Sequence, residues 1–226
     1  MKRFGCEPSK TPASKGRSMM WAALIFVLLT GTAAAAEPCC GPVTPAGHHL
    51  SQVLDASDVE HLWLARDHVN WETGARDRET DAVSNGHVAT HCSAFVAAMG
   101  ERLGIYMLRP PEHGLVLLAN AQNEWLGSGD ARAQGWRRVA DARSAQSLAN
   151  QGELVVISYA SPDPHRPGHI VIVRPSEKSE AELASEGPDI IQAGVVNHSK
   201  WVAASAFVHH PGGWPDGIGF FAHDVN

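Results

Sequence analysis

The spacing of apolar positions changes character about two thirds of the way along the chain. Phe95, Val96, Met99 and Leu103 recur at steps of three and four, the period of a buried helix face. They predict a helix with Thr90 as its N-cap, Cys92 in its first turn and Gly104 as its stop. Val53, Leu54, Val59, Leu62 and Leu64 predict an earlier, less regular helix over 51–67. Leu115, Leu118, Ala119, Gln122 and Leu126 predict a later one, ended by Gly127 and Gly129. Between them, Arg109-Pro110-Pro111 forbids helix. A short strand or turn is expected over 69–74, an exposed loop over 75–89, a short strand over 135–139 and a small helix or turn over 142–151.

Beyond residue 150 the apolar positions run together. Leu154 to Tyr159 and Ile170 to Val173 are continuous and β-branched, as buried strands are. The prolines between them (Pro162, Pro164, Pro167) fit the long loop of an antiparallel hairpin. A loose polar excursion over 176–188 precedes a third strand over 189–194, and 203–208 and a closing strand over 217–222 follow. Helices first and strands afterwards define an α+β fold.

The opening residues are organised differently. Lys2, Arg3, Lys10, Lys15 and Arg17 precede an apolar run from Trp21 to Leu29, and Ala33 to Ala36 close it. This is the layout of a secretory signal over 1–36, cut after Ala36, and it implies export to a periplasm or the exterior. An uncleaved anchor is the alternative, although the run is short for a bilayer span. Residues 37–50 read as a Pro/Gly-rich linker and 51–226 as one domain.

Of the chain's 18 basic and 24 acidic residues, the leader carries five and one, so the remainder holds 13 against 23, a net of −10. An acidic chain without a polybasic patch suits neither nucleic-acid phosphates nor anionic lipid. No nucleic-acid partner is expected, and no stable membrane insertion after signal cleavage. Cys6 leaves with the leader, and Cys39, Cys40 and Cys92 are an odd number for an oxidising compartment. A disulfide to a partner chain through Cys39 or Cys40, a bridge to Cys92 and unpaired thiols all stay open.

Cys92 is the candidate nucleophile. Orphan N–H groups and the helix dipole favour a thiolate in a first turn, which predicts a pKa lowered toward neutrality. The competing role is a core cysteine packing as a small hydrophobe. His169, after Gly168, opens an otherwise apolar strand. If that strand packs on the cysteine helix, thiol and imidazole pair. Gln192 stands in the apolar frame Ile190-Ile191-x-Ala193-Gly194, where a polar side chain needs a partner. Orienting the second ring nitrogen of His169 would supply one. Asn197 is the second choice for this role and Asp189 the third.

Taken in order, Cys92-Ser93-x-Phe95-Val96, Gly152-Glu153-Leu154-Val155 and Gly168-His169-Ile170-Val171-Ile172-Val173 resemble the papain-like NlpC and CHAP cell-wall hydrolases over residues 65–222. The resemblance implies N-terminal helices, one bearing the cysteine, packed on an antiparallel sheet bearing the histidine. It implies attack of Cys92 on an amide carbonyl, with His169 as acid and base, in peptidoglycan stem peptides and without a cofactor. The Cys92 N–H would form part of the oxyanion hole. Asn70 is a candidate second donor, and Asn70, Trp71, Ser93 and Asn123 are candidate substrate-binding residues. This chain departs from the pattern in having Glu153 where Asp is usual, a long segment between Cys92 and Gly152, and an amide at position 192.

Three alternatives accompany this reading. His91, Cys92, His169, His209 and His210 lack C-x-x-C or H-E-x-x-H spacing, so no metal is expected. His48, His49, His209, His210 and His223 are expected at the surface. A non-catalytic wall-binding module would keep the fold without a working triad. An acyltransferase would use the same dyad.

Overall fold

The structure, a computed structural model, describes residues 38–78, 83–84 and 87–225. The expected leader and Cys6 lie outside the described residues, as does part of the loop expected over 75–89. In chain order the elements are α1 (Pro45–Asp55), β1 (His68–Val69), β2 (Arg76–Arg78), β3 (Val83–Ser84), β4 (His87–Val88), α2 (Cys92–Arg102), α3 (Leu118–Leu126) and α4 (Gly129–Ala133). There follow β5 (Arg137–Val139), α5 (Ala142–Asn150), β6 (Leu154–Tyr159), β7 (His169–Val173), α6 (Glu180–Glu186), β8 (Asp189–Ala193), β9 (Asn197–Val202), α7 (Ala203–Phe207) and β10 (Gly219–His223).

The fold is α+β, built on one antiparallel sheet in the order β5-β10-β6-β7-β8-β9. Successive residues of a strand face opposite ways, and both faces of this sheet are covered. Leu154, Val156, Ile170, Ile172, Ile191 and Phe221 join Phe95, Val96 and Met99 of α2 and Leu50 and Leu54 of α1 in one core. Val155, Ile157, Val171, Val173 and Ile190 join Ala145 and Ala149 of α5 and Ala203, Ala206 and Phe207 of α7 in the other. Burial on both faces is why β6 and β7 read as unbroken apolar runs.

Helix α2 is buried from Cys92 through Gly100. A helix apolar all round needs packing on every side. It ends in a Schellman motif: Gly104, at φ +71°, lets the Ile105 N–H reach the Gly100 carbonyl at 2.8 Å and its own N–H reach the Glu101 carbonyl. The expected stop at Gly104 is therefore observed.

Other elements differ from expectation. The first helix starts at Pro45, capped by the Thr44 hydroxyl on the Gly47 N–H, and ends at Asp55. Positive φ at Asp58, Trp63 and Arg66 turns the chain instead of continuing a helix to residue 67. Part of the expected linker is thus packed. A Cβ on Gly47 would lie 2.3 Å from the Asn150 carbonyl oxygen. The stretch over 75–89 contributes β2, paired with β1, and β3 paired with β4. The polar excursion contains α6, opened by a reciprocal capping box between Ser179 and Glu182. The 203–208 segment is a short helix, and β9 was not anticipated. The closing strand lies between β5 and β6. Cys39 and Cys40 form a vicinal pair bonded to each other, and Cys92 is the free cysteine among the described residues. Both sulfurs are thereby engaged without Cys92 or a partner chain.

Candidate active site

Helix α2 begins without a side-chain cap. Its N-cap is His91, not Thr90, and the buried His91 ring instead meets the Asp67 carbonyl through Nε2 at 3.0 Å. The first-turn N–H groups are therefore available to what lies in front of them, and those of Cys92 and Ser93 favour the charged form of the thiol. The backbone N–H of Ile170 on β7 also favours the charged form of the thiol. The β7–β8 ladder, in register at Ile172↔Ile191 and Val173↔Ile190, does not extend to that residue. Cys92 is 4% exposed.

Burial dominates the thiol. It pushes the Cys92 pKa above its ordinary value, against the downward pull of the Ile170, Ser93 and Cys92 N–H groups. This corrects the expectation of a lowered pKa: the helix start contributes in the expected direction, but desolvation of a buried thiolate outweighs it. At rest Cys92 is a neutral thiol.

His169 stands at the beginning of β7, where Gly168 makes its placement possible. A Cβ on Gly168 would lie 2.2 Å from the Tyr159 carbonyl oxygen and 2.5 Å from Asn120 Oδ1. That asparagine in turn binds the loop between β6 and β7 through the Arg166 carbonyl and the Ser161 N–H. His169 Nε2 meets Gln192 Oε1 at 2.9 Å, and both side chains are buried. The Gln192 Nε2 donates to the Val196 carbonyl at 3.0 Å, which fixes the amide with its oxygen toward the ring. An amide oxygen only accepts, so His169 Nε2 carries the proton and Nδ1 carries the lone pair. Burial lowers the His169 pKa and the Gln192 bond raises it in part. The ring is neutral at rest.

Ring and thiol approach the sheet end from different sides. Cys92 belongs to the core that contains Ile170 and Ile172. The His169 ring lies beside Phe207 of the opposite core at 5.3 Å and stacks on His210 at 5.1 Å with an interplanar angle of 11°. No hydrogen bond joins Sγ to the ring among the described residues; the thiol meets the backbone of the next residue along β7. The structure thus brings His169 and Gln192 together and sets Cys92 beside that strand end.

His210 was expected at the surface and is instead half-buried against His169. His223 is half-buried too, with Nε2 on the Gln134 carbonyl. His48, His49 and His209 are exposed as expected. Nothing local in Val208-His209-His210-Pro211 marks which of the two histidines faces inward. Only the turn after α7 decides it.

The remaining candidates have other partners. Asn197 Nδ2 donates to the carbonyls of Val59, Leu62 and Trp63 at 2.7, 2.8 and 3.3 Å, so it anchors the turn after α1 and does not orient His169. Asp189 holds the buried Lys178 ammonium at 3.0 Å. Asn70 Oδ1 accepts from the Glu72 and Thr73 N–H groups and closes a turn. The Trp71 carbonyl accepts from Trp63 Nε1, and Arg109 lies over the Trp71 ring. The buried Ser93 gives its carbonyl to Gln122 Nε2. Asn123 Nδ2 donates to Ser158 Oγ at 3.0 Å, and Ser158 is the β6 residue opposite Ile170. Of the four substrate-binding candidates, Ser93 follows Cys92 in the chain and Asn123 binds the β6 residue paired with Ile170. No protein-family model and no curated protein sequence matches the chain.

Proposed function

We propose that the protein is an exported cysteine hydrolase of the papain-like NlpC/CHAP type, acting on amide bonds in peptidoglycan stem peptides. The observation that carries this reading is the tautomer of His169. A buried, neutral imidazole presents a free Nδ1 lone pair at the end of the strand whose next residue, Ile170, shares a core with the only free described thiol. A helix-start cysteine and an oriented imidazole at the end of the strand packed on that helix are the two groups that acyl transfer requires.

In the proposed reaction the thiol proton passes to His169 Nδ1 as sulfur adds to the amide carbon. The backbone N–H of Cys92 donates to the developing oxyanion. His169 returns its proton to the leaving amine, then takes one from water as hydroxide adds to the thioester. Collapse releases the acid and restores the thiol. Both partners start neutral, so proton transfer accompanies attack instead of preceding it. Catalytic contacts that are long in an unliganded site tighten when substrate binds.

One observation favours a second reading, a wall-binding module without catalysis: the thiol is buried, its pKa is raised, and no hydrogen bond joins it to His169. Incubation of the protein, Cys92→Ala and His169→Ala with purified sacculi separates the two. Release of new amino termini by the parent chain alone, with an acyl-enzyme on Cys92 seen by mass spectrometry, supports the hydrolase. Sedimentation with sacculi without any cleavage overturns it in favour of the module.

A further inference from the structure

We propose that His210 is a positioning residue for His169, a flat wall that fixes the plane of the catalytic ring while Gln192 fixes its rotation within that plane. The proposal rests on the reading of His169 as the general base. A single hydrogen bond at Nε2 defines one point of the ring and leaves it free to swing about the Nε2···Oε1 line. A near-parallel ring at 5.1 Å removes that freedom on one side, and Phe207 at 5.3 Å adds a tilted contact.

The wall is itself supported. Its ring lies 5.1 Å from the Tyr159 ring, and the Tyr159 hydroxyl donates to the carbonyl of Pro211 at 2.8 Å. The His210 N–H bonds the Phe207 carbonyl, and the His210 carbonyl accepts from the Gly213 N–H. A Cβ on Gly213 would lie 2.9 Å from the Phe207 carbonyl oxygen, so this turn is closely packed. Tyr159 is the β6 partner of His169 in the ladder. The residue that anchors the wall therefore pairs with the residue the wall supports.

The wall must also carry no charge, because a cation stacked on His169 would oppose the imidazolium formed during attack. The titratable groups facing His210 are His169, His209 and Tyr159. Burial first, then His169 and His209, hold its pKa down at about 4, so it is neutral wherever the thiol chemistry operates.

The test uses His210→Ala, His210→Phe and Tyr159→Phe in the full chain, with thermal midpoints as a folding check. Nitrogen-15 spectra of the His169 ring report its tautomer and the exchange of its Nε2–H without any substrate. His210→Ala should speed that exchange and lower kcat tenfold to a hundredfold with KM within about twofold, the scale of a misplaced catalytic group. His210→Phe, which keeps a flat neutral ring, should restore most of the rate. Tyr159→Phe should fall between, and it carries the test if His210→Ala does not fold. An unchanged His169 signal in folded His210→Ala, or a His210→Phe as impaired as His210→Ala, overturns the proposal. The spectra remain decisive if no amide substrate is cleaved, so failure of the hydrolase reading is distinguishable.

Discussion

Gln192 turns its amide oxygen, not its nitrogen, toward His169, because the Val196 carbonyl stands 3.0 Å from that nitrogen. The amide is thereby a one-way acceptor for the imidazole, and a Cβ on Gly194 would lie 3.0 Å from its Nε2. Unlike a carboxylate, it orients the ring without attracting the imidazolium charge.

Gln192→Leu removes the acceptor and strands a buried N–H. It should cost about 1–3 kcal/mol of stability and lower kcat/KM by about tenfold to a hundredfold. Asn197→Ala should cost a similar amount of stability, about 1–3 kcal/mol, because the carbonyls of Val59, Leu62 and Trp63 lose their donor. Its rate per folded molecule should not change. Denaturant melts and steady-state kinetics on both variants check this. Equal loss of rate would return Asn197 to the catalytic role.

Gly168→Ala should be far more damaging than Gly104→Ala. At position 168 the new carbon collides with the Tyr159 carbonyl and Asn120, which forces the backbone at His169 to shift, at a cost of about 1–3 kcal/mol. At 104 nothing lies within 4 Å and only the positive φ is strained, for roughly 1 kcal/mol. Thermal melts rank the two, and activity should disappear only in Gly168→Ala.

Iodoacetamide should modify Cys92 slowly at neutral pH, with the rate still rising above the unperturbed thiol pKa of about 8.5, because burial favours the neutral thiol. Among Cys39, Cys40 and Cys92, mass spectrometry should find Cys92 alone modified until reductant opens the Cys39–Cys40 bond. A rate plateau below pH 7 would show that a thiolate–imidazolium pair exists at rest.

Stability should fall on acidification. Burial lowers the pKa of His91, His169 and His210 below the ordinary 6.5. A lowered pKa means that the unfolded chain binds protons first, so the contribution is complete above pH 6.5 and lost as pH falls through the folded values. Exposed His61, raised by Asp58, acts in the opposite sense. Urea midpoints measured from pH 8 to pH 5 should drop steadily below pH 6.5. His210→Phe should flatten the fall between pH 6.5 and about 4.

The sequence made β6, β7, β8, α2 and α5 legible because each is long enough, or apolar enough, to carry its own period. Gln192 was legible for a related reason: an amide in an apolar strand must be satisfied, and its partner was the nearest polar group on the adjacent strand. Edge strand β9, Asn-His-Ser-Lys-Trp-Val, is half-buried along most of its length and shows no alternation to read. Helix α6 was signalled by Ser179-x-x-Glu182, a cue that the surrounding polar composition obscured. The thiol pKa failed for another reason. A helix start can be read from spacing, whereas burial of the sulfur depends on how α2 and β7 meet. His210 likewise depends on where the chain goes after α7.

The place of β10 affects how such a chain is made. It pairs on one side with β5 and on the other with β6, so Arg137–Val139 has no sheet partner until Gly219–His223 has emerged. A nascent chain that already holds β6, β7 and β8 still exposes the backbone edge of β6, and pairing across so long a sequence separation is slow. Late completion keeps the sheet unlocked until the end of the chain is made. It also leaves an interrupted chain with an open strand edge ready to capture a neighbour.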